Sequence, residues 1–515
     1  MKKPESNDFA PLSLDELADV LGLTIKQDRI NKLITFLCQL SAYTEESQFN
    51  LSYNAPSSTG KSYIPIEISQ LFPEEDIVML GYCSPMAFFH DVGEWDKVRK
   101  QYIVNLSRKI LIFLDQPHTE LLGRLRPLLS HDKKEISLKV TDKNEKYGLR
   151  TKNILIRGYP AVIFCTAGLR VDEQEATRFI LLSPEGSQEK LRQAIHSKIK
   201  REVDISAYRE WLESDSKRKV LRERLRAIKK ESIADVKINF PEKIEEAFLH
   251  KSKFLRPRDT RDVGRAISLV KCIALLNLWF REREGSTIVA NGEDVQEGLN
   301  LWEAISETQE LNLPPYVFEI YKDVILPIWE ENNKYSESKG GVGVQRKEIL
   351  KKYREIYNRP LPDWQLRQQI LPMMEDSGLI YQEPDISDRR RVLIYPTLPL
   401  TTFSTISPPT PSLTISENQL PAALPKEADF TPENVTDVES LRAKARQAIE
   451  EGHRLCPDQA REWASRNYLY GLSDLNRMEN HLRRWDGEAI EELKSEIDRY
   501  LEKAKEITRR YHQGW

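Results

Sequence analysis

Paired cysteines, an excess of charge and long apolar runs are all missing from this sequence of 515 residues. The five cysteines are Cys38, Cys83, Cys165, Cys272 and Cys456. They lack the spacing of a zinc site or a disulfide framework, which is typical of a protein in a reducing compartment. The 77 Lys and Arg residues oppose 80 Asp and Glu residues, a net charge of −3, so a nucleic-acid contact requires a local basic patch. Neither an export signal nor a membrane-spanning run is present. We therefore expect a cytoplasmic protein without membrane contact.

A serine-rich loop at residues 55–62 is the most informative motif. Its spacing is that of a Walker A phosphate-binding loop, in which Lys61 reaches the β- and γ-phosphates of ATP and Ser62 ligates Mg²⁺. Backbone N–H groups of such a loop face the phosphates, and the helix that follows adds its positive end. The expected nucleotide-binding residues are Ala55, Pro56, Ser57, Ser58, Thr59, Gly60, Lys61 and Ser62. Ala55 replaces the first glycine and fits only if its φ is negative. The alternative is a serine-rich turn that caps a helix.

A second half of the site is expected where an apolar strand ends in an acid. Residues 109–114 form an unbroken apolar run typical of a buried parallel strand, and Asp115 follows at the strand end where α/β sheets bind ligands. Asp115 is the predicted second Mg²⁺ ligand. Gln116 stands where most such ATPases carry a glutamate that polarises water. Either Glu120 or His118 is the base instead, or Gln116 blocks hydrolysis.

The order of segments predicts an α/β protein with a parallel, doubly wound sheet. Strands are expected at 49–54, 76–80, 109–114, 161–166 and 179–183, with helical or hairpin segments between them. We predict a polar tail at 1–20, an α/β nucleotide-binding core at 21–185, charged helices at 186–310 and mixed structure at 311–396. A Pro/Ser/Thr-rich, disordered linker is expected at 397–435 and a helical C-terminal domain at 436–515.

Residues 136–157 alternate as a β-hairpin that a simple nucleotide-binding fold does not need. Basic residues lie at its tip and on its return arm: Lys143, Lys146, Arg150 and Lys152. They are candidate DNA contacts, although exposed hairpins of any function carry such charges.

Residues 344–395 predict a winged helix, with helices at 344–358 and 363–376, the latter capped by Asp363, and strands at 379–382 and 389–395. The exposed face of its second helix and the wing would contact DNA bases and phosphates through Gln365, Arg367, Gln368, Arg389, Arg390 and Arg391. The alternative is a winged helix that packs against protein.

Taken in order, these motifs resemble the AAA+ ATPases, in particular the helicase branch typified by minichromosome-maintenance proteins. The resemblance covers residues 24–307 as the AAA+ module, with 186–310 as its helical lid, and 316–396 as a winged helix. Thr166 resembles the polar sensor 1 residue, Arg178 resembles an arginine finger, and Arg261 resembles the sensor 2 arginine. An ordinary surface salt bridge is the alternative for Arg178, and Arg258 and Arg265 compete with Arg261.

The resemblance implies a hexameric ring that uses ATP and Mg²⁺ to move on DNA, with the hairpin gripping single-stranded DNA in its channel. We expect a replicative-type helicase of a mobile element or minimal replicon, because the N-terminal DNA-binding domain and zinc site of those helicases have no counterpart here. Two alternatives stay open: a loader or regulator that places a partner on DNA through the C-terminal helical tail, and an ATP-gated DNA-binding scaffold whose hydrolysis is impaired by Gln116.

Overall fold

The computed structural model describes residues 9–81, 94–99, 101–142, 150–166, 178–250, 258–334, 342–385, 391–397, 447–467 and 490–513, with 469, 472, 475 and 478 between the last two ranges. The chain divides into two compact units, Met1–Ser407 and Pro408–Trp515. Among the described residues, no helix combines the length and the apolar character needed to cross a membrane.

The strands of the first unit are β1 (Leu51–Asn54), β2 (Ile77–Leu80), β3 (Glu94–Asp96), β4 (Gln101–Asn105), β5 (Ile110–Phe113), β6 (Glu135–Asp142), β7 (Arg150–Arg157), β8 (Ala161–Thr166), β9 (Ile180–Leu182), β10 (Asp235–Ile238), β11 (Glu282–Glu284), β12 (Thr287–Ala290), β13 (Val344–Gln345), β14 (Ile380–Pro384) and β15 (Val392–Pro396).

The helices in both units are α1 (Leu14–Gly22), α2 (Arg29–Ser41), α3 (Tyr63–Ser69), α4 (Thr119–Leu129), α5 (Gln188–Val203), α6 (Ile205–Ser214), α7 (Ser216–Glu231), α8 (Pro241–Glu245), α9 (Asp259–Leu276), α10 (Gly292–Glu310), α11 (Pro315–Ile320), α12 (Leu326–Asn333), α13 (Arg346–Tyr357), α14 (Asp363–Gln365), α15 (Leu371–Asp376), α16 (Asp458–Arg466) and α17 (Ile490–His512). Shorter 3₁₀ turns occur at Glu74–Asp76 and Leu278–Phe280, and π-helical turns at Glu246–His250, Tyr321–Ile325 and Leu366–Ile370.

A five-stranded sheet in the order β2–β5–β8–β1–β9 forms the centre of the first unit. Each neighbouring pair is parallel, which confirms the predicted parallel α/β sheet. Alternate residues of β5 enter different cores: Ile110 and Ile112 pack with α2 and α3, whereas Leu111 and Phe113 pack with α4. Burial on both faces explains why β5 is apolar throughout.

The predicted hairpin arms are present as β6 and β7, which pair antiparallel from Glu135–Arg157 to Asp142–Arg150. They belong to a four-stranded sheet, β3–β4–β7–β6, in which β4 runs parallel to β7. The strands β3 and β4 were not expected from the sequence. Gly158 joins this sheet to β8 with φ +91°, and a side chain there would lie 2.5 Å from the backbone nitrogen of Ser107.

Two sequence predictions in this unit were wrong. The segment 1–20 is not a polar tail throughout, because α1 begins at Leu14 behind a Ser13–Glu16 capping box and buries Leu17 and Leu21 in the core. The charged segment 186–310 is not purely helical, since β10, β12 and β11 form a three-stranded sheet within it.

Residues 311–396 have a core of their own, built from α11–α15 and the antiparallel sheet β13–β15–β14. Asp363 is the first residue of α14 and not its cap, since Pro362 occupies the cap position and makes no side-chain cap hydrogen bond. The strands end later than predicted, at Pro384 and Pro396. Most of the predicted linker, 398–435, lies outside the described residues.

The second unit is helical where it is described, as predicted. Residues 447–455, α16 and α17 enclose a small core that includes Cys456, Ala464 and Tyr500. Apolar residues of α17 recur at helical spacing, as in Tyr500, Ala504 and Ile507, and form the buried face.

Candidate nucleotide site

The loop 55–62 follows β1 at the carboxyl edge of the central sheet. β8 lies directly beside β1, with Asn54 paired to Thr166, and β5 lies beside β8, with Phe113 paired to Phe164. The Ala55 N–H donates to the Thr166 carbonyl at 3.4 Å. This strand order brings the loop, Thr166 and the residues after β5 to one edge, where parallel sheets bind their ligands.

The backbone of the loop satisfies the requirement that φ of Ala55 is not positive. Ala55 is fully buried and is not among the residues with positive φ, whereas Ser58 (φ 67°) and Gly60 (φ 90°) are. The Thr59 hydroxyl donates to the Pro56 carbonyl at 2.9 Å, and the Tyr63 N–H donates to the Gly60 carbonyl at 3.0 Å, where α3 begins. A left-handed residue before the lysine therefore turns the chain from the loop into the helix.

Lys61, Ser62 and Asp115 surround the buried thiol of Cys165 on β8. The thiol donates to the Lys61 carbonyl at 3.4 Å. Burial, aided by the Asp115 carboxylate, raises the pKa of the Cys165 thiol to about 11, although a hydrogen bond with Ser62 and the charge of Lys61 act in the opposite direction. Lys61, Ser62 and Asp115 therefore all lie in the neighbourhood of the Cys165 thiol.

The Lys61 ammonium donates to the Ala55 carbonyl at 3.4 Å, so the side chain lies across its own loop. A lysine in this position faces the space that the loop encloses. Together with the backbone N–H groups, it fits a polyphosphate.

Gln116 is held by the neighbouring strand. The Thr166 hydroxyl donates to the Gln116 amide oxygen at 3.1 Å, and Thr166 is almost fully buried. An amide fixed in this way can orient a water molecule but cannot accept its proton.

The two alternative bases are engaged in other contacts. Glu120 forms an ion pair with Arg124 one helical turn further along α4. His118 is the N-cap of that helix, and its Nδ1 accepts from the Glu120 N–H at 3.2 Å. Neither residue is directed to the loop by these contacts, which weakens the hypothesis that one of them replaces a glutamate at position 116.

A cavity of about 280 Å³ next to the loop was missed by the sequence analysis. It extends from Ser58, Thr59 and Gly60 to α5 and α6, and its walls combine apolar with cationic side chains: Ile25, Ile64, Tyr63, Leu191 and Tyr208 with Lys26, Lys190, Lys198 and Arg201. The aromatic Tyr63 directly after Ser62 is the one sequence signal for it.

The magnesium site stays a prediction. Within the described ranges no group of three His, Cys, Asp or Glu side chains could hold a metal ion by itself. Mg²⁺ bound with a nucleotide needs no such group, because it takes one or two protein oxygens and completes its shell with phosphate and water. Ser62 and Asp115 would supply those two oxygens.

Arg178 and Arg261 lie at the opposite edge of the sheet. Arg178 precedes Ile180, which pairs with Leu51 at the start of β1, whereas the loop begins beyond the end of that strand. Arg178 is therefore level with residue 49, six residues before Ala55. At ~3.3 Å per residue, Arg178 lies about 20 Å from Ala55 along the strand direction. The two arginines line one cavity of about 350 Å³, together with Lys271 and His131.

Arg258 and Arg265, the two competitors of Arg261, differ in their relation to this cavity. Arg258 donates to Asp262 at 3.1 Å and to Asn312 at 2.8 Å, and does not line the cavity. Arg265 lines it but is buried and donates to Asp262 at 2.7 Å, and burial lowers its pKa to about 10.

The predicted DNA contacts are described only in part. Lys143, Lys146, Arg389 and Arg390 lie outside the described residues, as do the side chains of Arg150 and Lys152 on β7. Arg367, Gln368 and Arg391 are exposed and Gln365 is half-buried. Trp364, which is 54 % exposed beside Gln365, was not anticipated.

No protein-family model matches the chain, and no curated protein sequence is significantly similar to it.

Proposed function

We propose that this chain is an ATP-driven DNA motor of the AAA+ type that works as a ring of identical subunits. The observation that carries the proposal is the carboxyl edge of β1, β8 and β5, which gathers the phosphate loop, Asp115 and the Thr166–Gln116 pair. The motor would be a replicative-type helicase, with ATP and Mg²⁺ as cofactors.

In this proposal the loop holds the phosphates of ATP and the adjoining cavity holds its nucleoside. Lys61 would neutralise the β- and γ-phosphates, and Ser62 and Asp115 would hold Mg²⁺, which withdraws charge from the transferred phosphoryl group. Thr166 keeps the Gln116 amide in place to orient the attacking water.

The position of Arg178 supports the ring. An arginine about 20 Å along the strand from its own loop cannot touch a phosphate bound there. It can reach the phosphate of a second copy that docks head to tail, and Arg261 and Lys271 in the same cavity add positive charge for the same anion. Such heterologous contacts close into a ring when the rotation allows.

DNA contact is the part of the proposal that rests most on the sequence. β6 and β7 give the hairpin two paired arms, so Lys143 and Lys146 lie in the connection at its end. Residues 344–396, with α13, α14, α15 and the β14–β15 pair, have the order of a winged helix. The exposed Arg367 and Arg391 support a DNA-facing role for it.

The amide at Gln116 favours a second candidate function, because an amide cannot accept a proton from water. If no other residue acts as the general base, hydrolysis is negligible and the ring is an ATP-gated DNA-binding scaffold. A loader that places a partner on DNA through the helical second unit would instead hydrolyse ATP without unwinding DNA.

The nucleotide half is tested with Lys61→Ala. We expect this variant to lose ATP binding and keep its fold, because the lysine faces the loop and not the core. Binding is measured by titration with a fluorescent ATP analogue and folding by circular dichroism. Lys237→Ala is the matched control, since Lys237 is an exposed lysine paired with Glu284. Unchanged affinity in Lys61→Ala would overturn the site.

The DNA half is tested with the double variant Lys143→Ala, Lys146→Ala. Loss of two phosphate contacts should weaken single-stranded DNA binding regardless of sequence and reduce the logarithmic salt slope by ~0.7 per contact. Lys217→Ala, Lys219→Ala removes the same charge from the exposed side of α7 and should change neither. Unwinding of a forked duplex separates the helicase from both alternatives, and a hairpin variant with wild-type DNA affinity and salt slope would favour the loader.

A further inference from the structure

The residue that fixes Arg178 lies at the end of the helix that starts at the nucleotide site. The Nε of Arg178 donates to the Ser130 hydroxyl at 2.8 Å. Ser130 is the C-cap of α4, and its own N–H donates to the Arg126 carbonyl at 3.0 Å. Because Nε is the nitrogen at the base of the guanidinium, this bond holds the base of the group beside the end of α4.

The far end of α4 adjoins the residues that face ATP. His118 caps the helix, two positions after Gln116, which Thr166 holds in place. The helix runs from Thr119 to Leu129, a span of about 16 Å at 1.5 Å per residue. It therefore extends from the carboxyl edge of the sheet to the amino edge where Arg178 lies.

The helix has little freedom to bend away from the sheet. Leu121, Leu125 and Leu128 are buried against Phe113 and Phe164 of β5 and β8. A close-packed face of this kind moves as one body with the strands that it covers.

Asn50 fixes the end of the helix to three strands. Its amide Nδ2 donates to the Leu129 carbonyl at 3.2 Å, its Oδ1 accepts from the Val162 N–H at 3.1 Å, and its carbonyl accepts from the Ile180 N–H at 2.8 Å. Asn50 is itself buried. The hydrogen bonds of Asn50, together with the packed leucine face of α4, therefore fix the position of Ser130 relative to Ile180.

We propose that Ser130 is the positioning residue for Arg178, and that α4 links the Gln116 position at one nucleotide site to the arginine that enters the next. This inference rests on the proposed function, since it assumes that Arg178 acts on the phosphate of a neighbouring subunit. Ser130 does not touch ATP. It holds the guanidinium in the cavity that Arg261 and Lys271 also line.

The test compares ATP turnover of the Ser130→Ala, Ser130→Thr and Arg178→Ala variants of the full chain. If the unsubstituted chain turns over ATP too slowly to measure, all the variants also carry Gln116→Glu. Loss of a hydrogen bond to a charged group should lower kcat about 10-fold in Ser130→Ala. KM for ATP should be unchanged, because the loop lies at the other edge. Ser130→Thr keeps the hydroxyl and should restore kcat.

The double variant Ser130→Ala, Arg178→Ala separates positioning from a general structural role. If Ser130 acts through Arg178, the double variant should be no slower than Arg178→Ala alone, whereas a structural defect would lower kcat further and lower Tm in both backgrounds. In mixed rings, Ser130→Ala subunits should recover activity with Lys61→Ala subunits, as a defect in the donated arginine requires.

The outcomes separate the two levels of the argument. If Arg178→Ala loses turnover and Ser130→Ala keeps wild-type kcat, or if the two losses add, the positioning role is wrong and the proposed ring survives. If Arg178→Ala itself keeps wild-type turnover, the arginine does not act in trans and both are overturned.

Discussion

Gly60 gives the sharpest prediction for the phosphate loop. Its φ of +90° is unfavourable for any residue with a side chain, yet a Cβ built there would meet no atom within 4 Å. Gly60→Ala therefore introduces backbone strain without a clash. Left-handed backbone costs a non-glycine residue roughly 1–2 kcal/mol. The Gly60 carbonyl also accepts the first hydrogen bond of α3, from Tyr63 at 3.0 Å, so relief of the strain would displace Lys61 and Ser62.

If the whole strain energy is lost from the free energy of ATP binding, the Kd for ATP rises about 5- to 30-fold, because each 1.4 kcal/mol changes Kd tenfold. Titration with a fluorescent ATP analogue and Mg²⁺ measures this, and the Tm without nucleotide should fall by a few degrees at most. Gly81→Ala is the matched control: its Cβ also meets nothing within 4 Å, and its φ is not positive. Equal ATP affinity in Gly60→Ala, Gly81→Ala and the unsubstituted chain would refute the reasoning.

Two further predictions concern carboxyl groups. Gln116→Glu should raise ATP turnover by ~10²–10⁴-fold, because the Thr166 hydroxyl would hold a carboxylate that can take the proton from water; phosphate release measures it, and an unchanged rate contradicts the assignment. Burial, followed by the charges of Asp323, Glu185 and Asp28, raises the pKa of Glu319 on α11 from 4.5 to about 7. Between pH 4.5 and about pH 7 the carboxyl group is protonated in the folded chain and ionised in the unfolded chain. The free energy of unfolding therefore falls as pH rises through this range and stays lower above it. Glu319→Gln should raise Tm at about pH 8 by removing a cost of up to about 3 kcal/mol, and should not raise it at about pH 4.5; an equal rise at both would contradict the linkage.

The strands β5 and β8 of the central sheet could be predicted because they are buried on both faces. Ile110–Phe113 and Ala161–Thr166 are short, almost wholly apolar runs, the pattern of a buried parallel strand. The same reasoning failed for β3 and β10–β12, which are three or four residues long and carry exposed charges such as Glu94 and Glu282. Their pairing depends on partners distant in sequence, for example Asp235 with Thr287, and local patterns do not contain that information.

The part of the candidate site that lies at the ends of strands could be predicted from the sequence. The carboxyl ends of parallel strands share an edge, so Lys61, Asp115 and Thr166 were expected together once the strands were found. Strand order could not be deduced, and it is what places Thr166 between the loop and Gln116. The cavity next to the loop and the Ser130–Arg178 bond join segments that lie far apart in the sequence, so no spacing in the sequence indicates them.

The separation of Lys61 from Arg178 also restricts how copies of the chain would assemble. The two lie at opposite edges of one sheet, about 20 Å apart along the strand direction. A two-fold dimer would have to present both edges on a single self-complementary surface. A head-to-tail contact needs only the loop edge of one copy against the arginine edge of the next, and leaves one edge open at each end until the assembly closes. Under the proposed function, a closed ring is thus the arrangement in which every phosphate loop meets an Arg178.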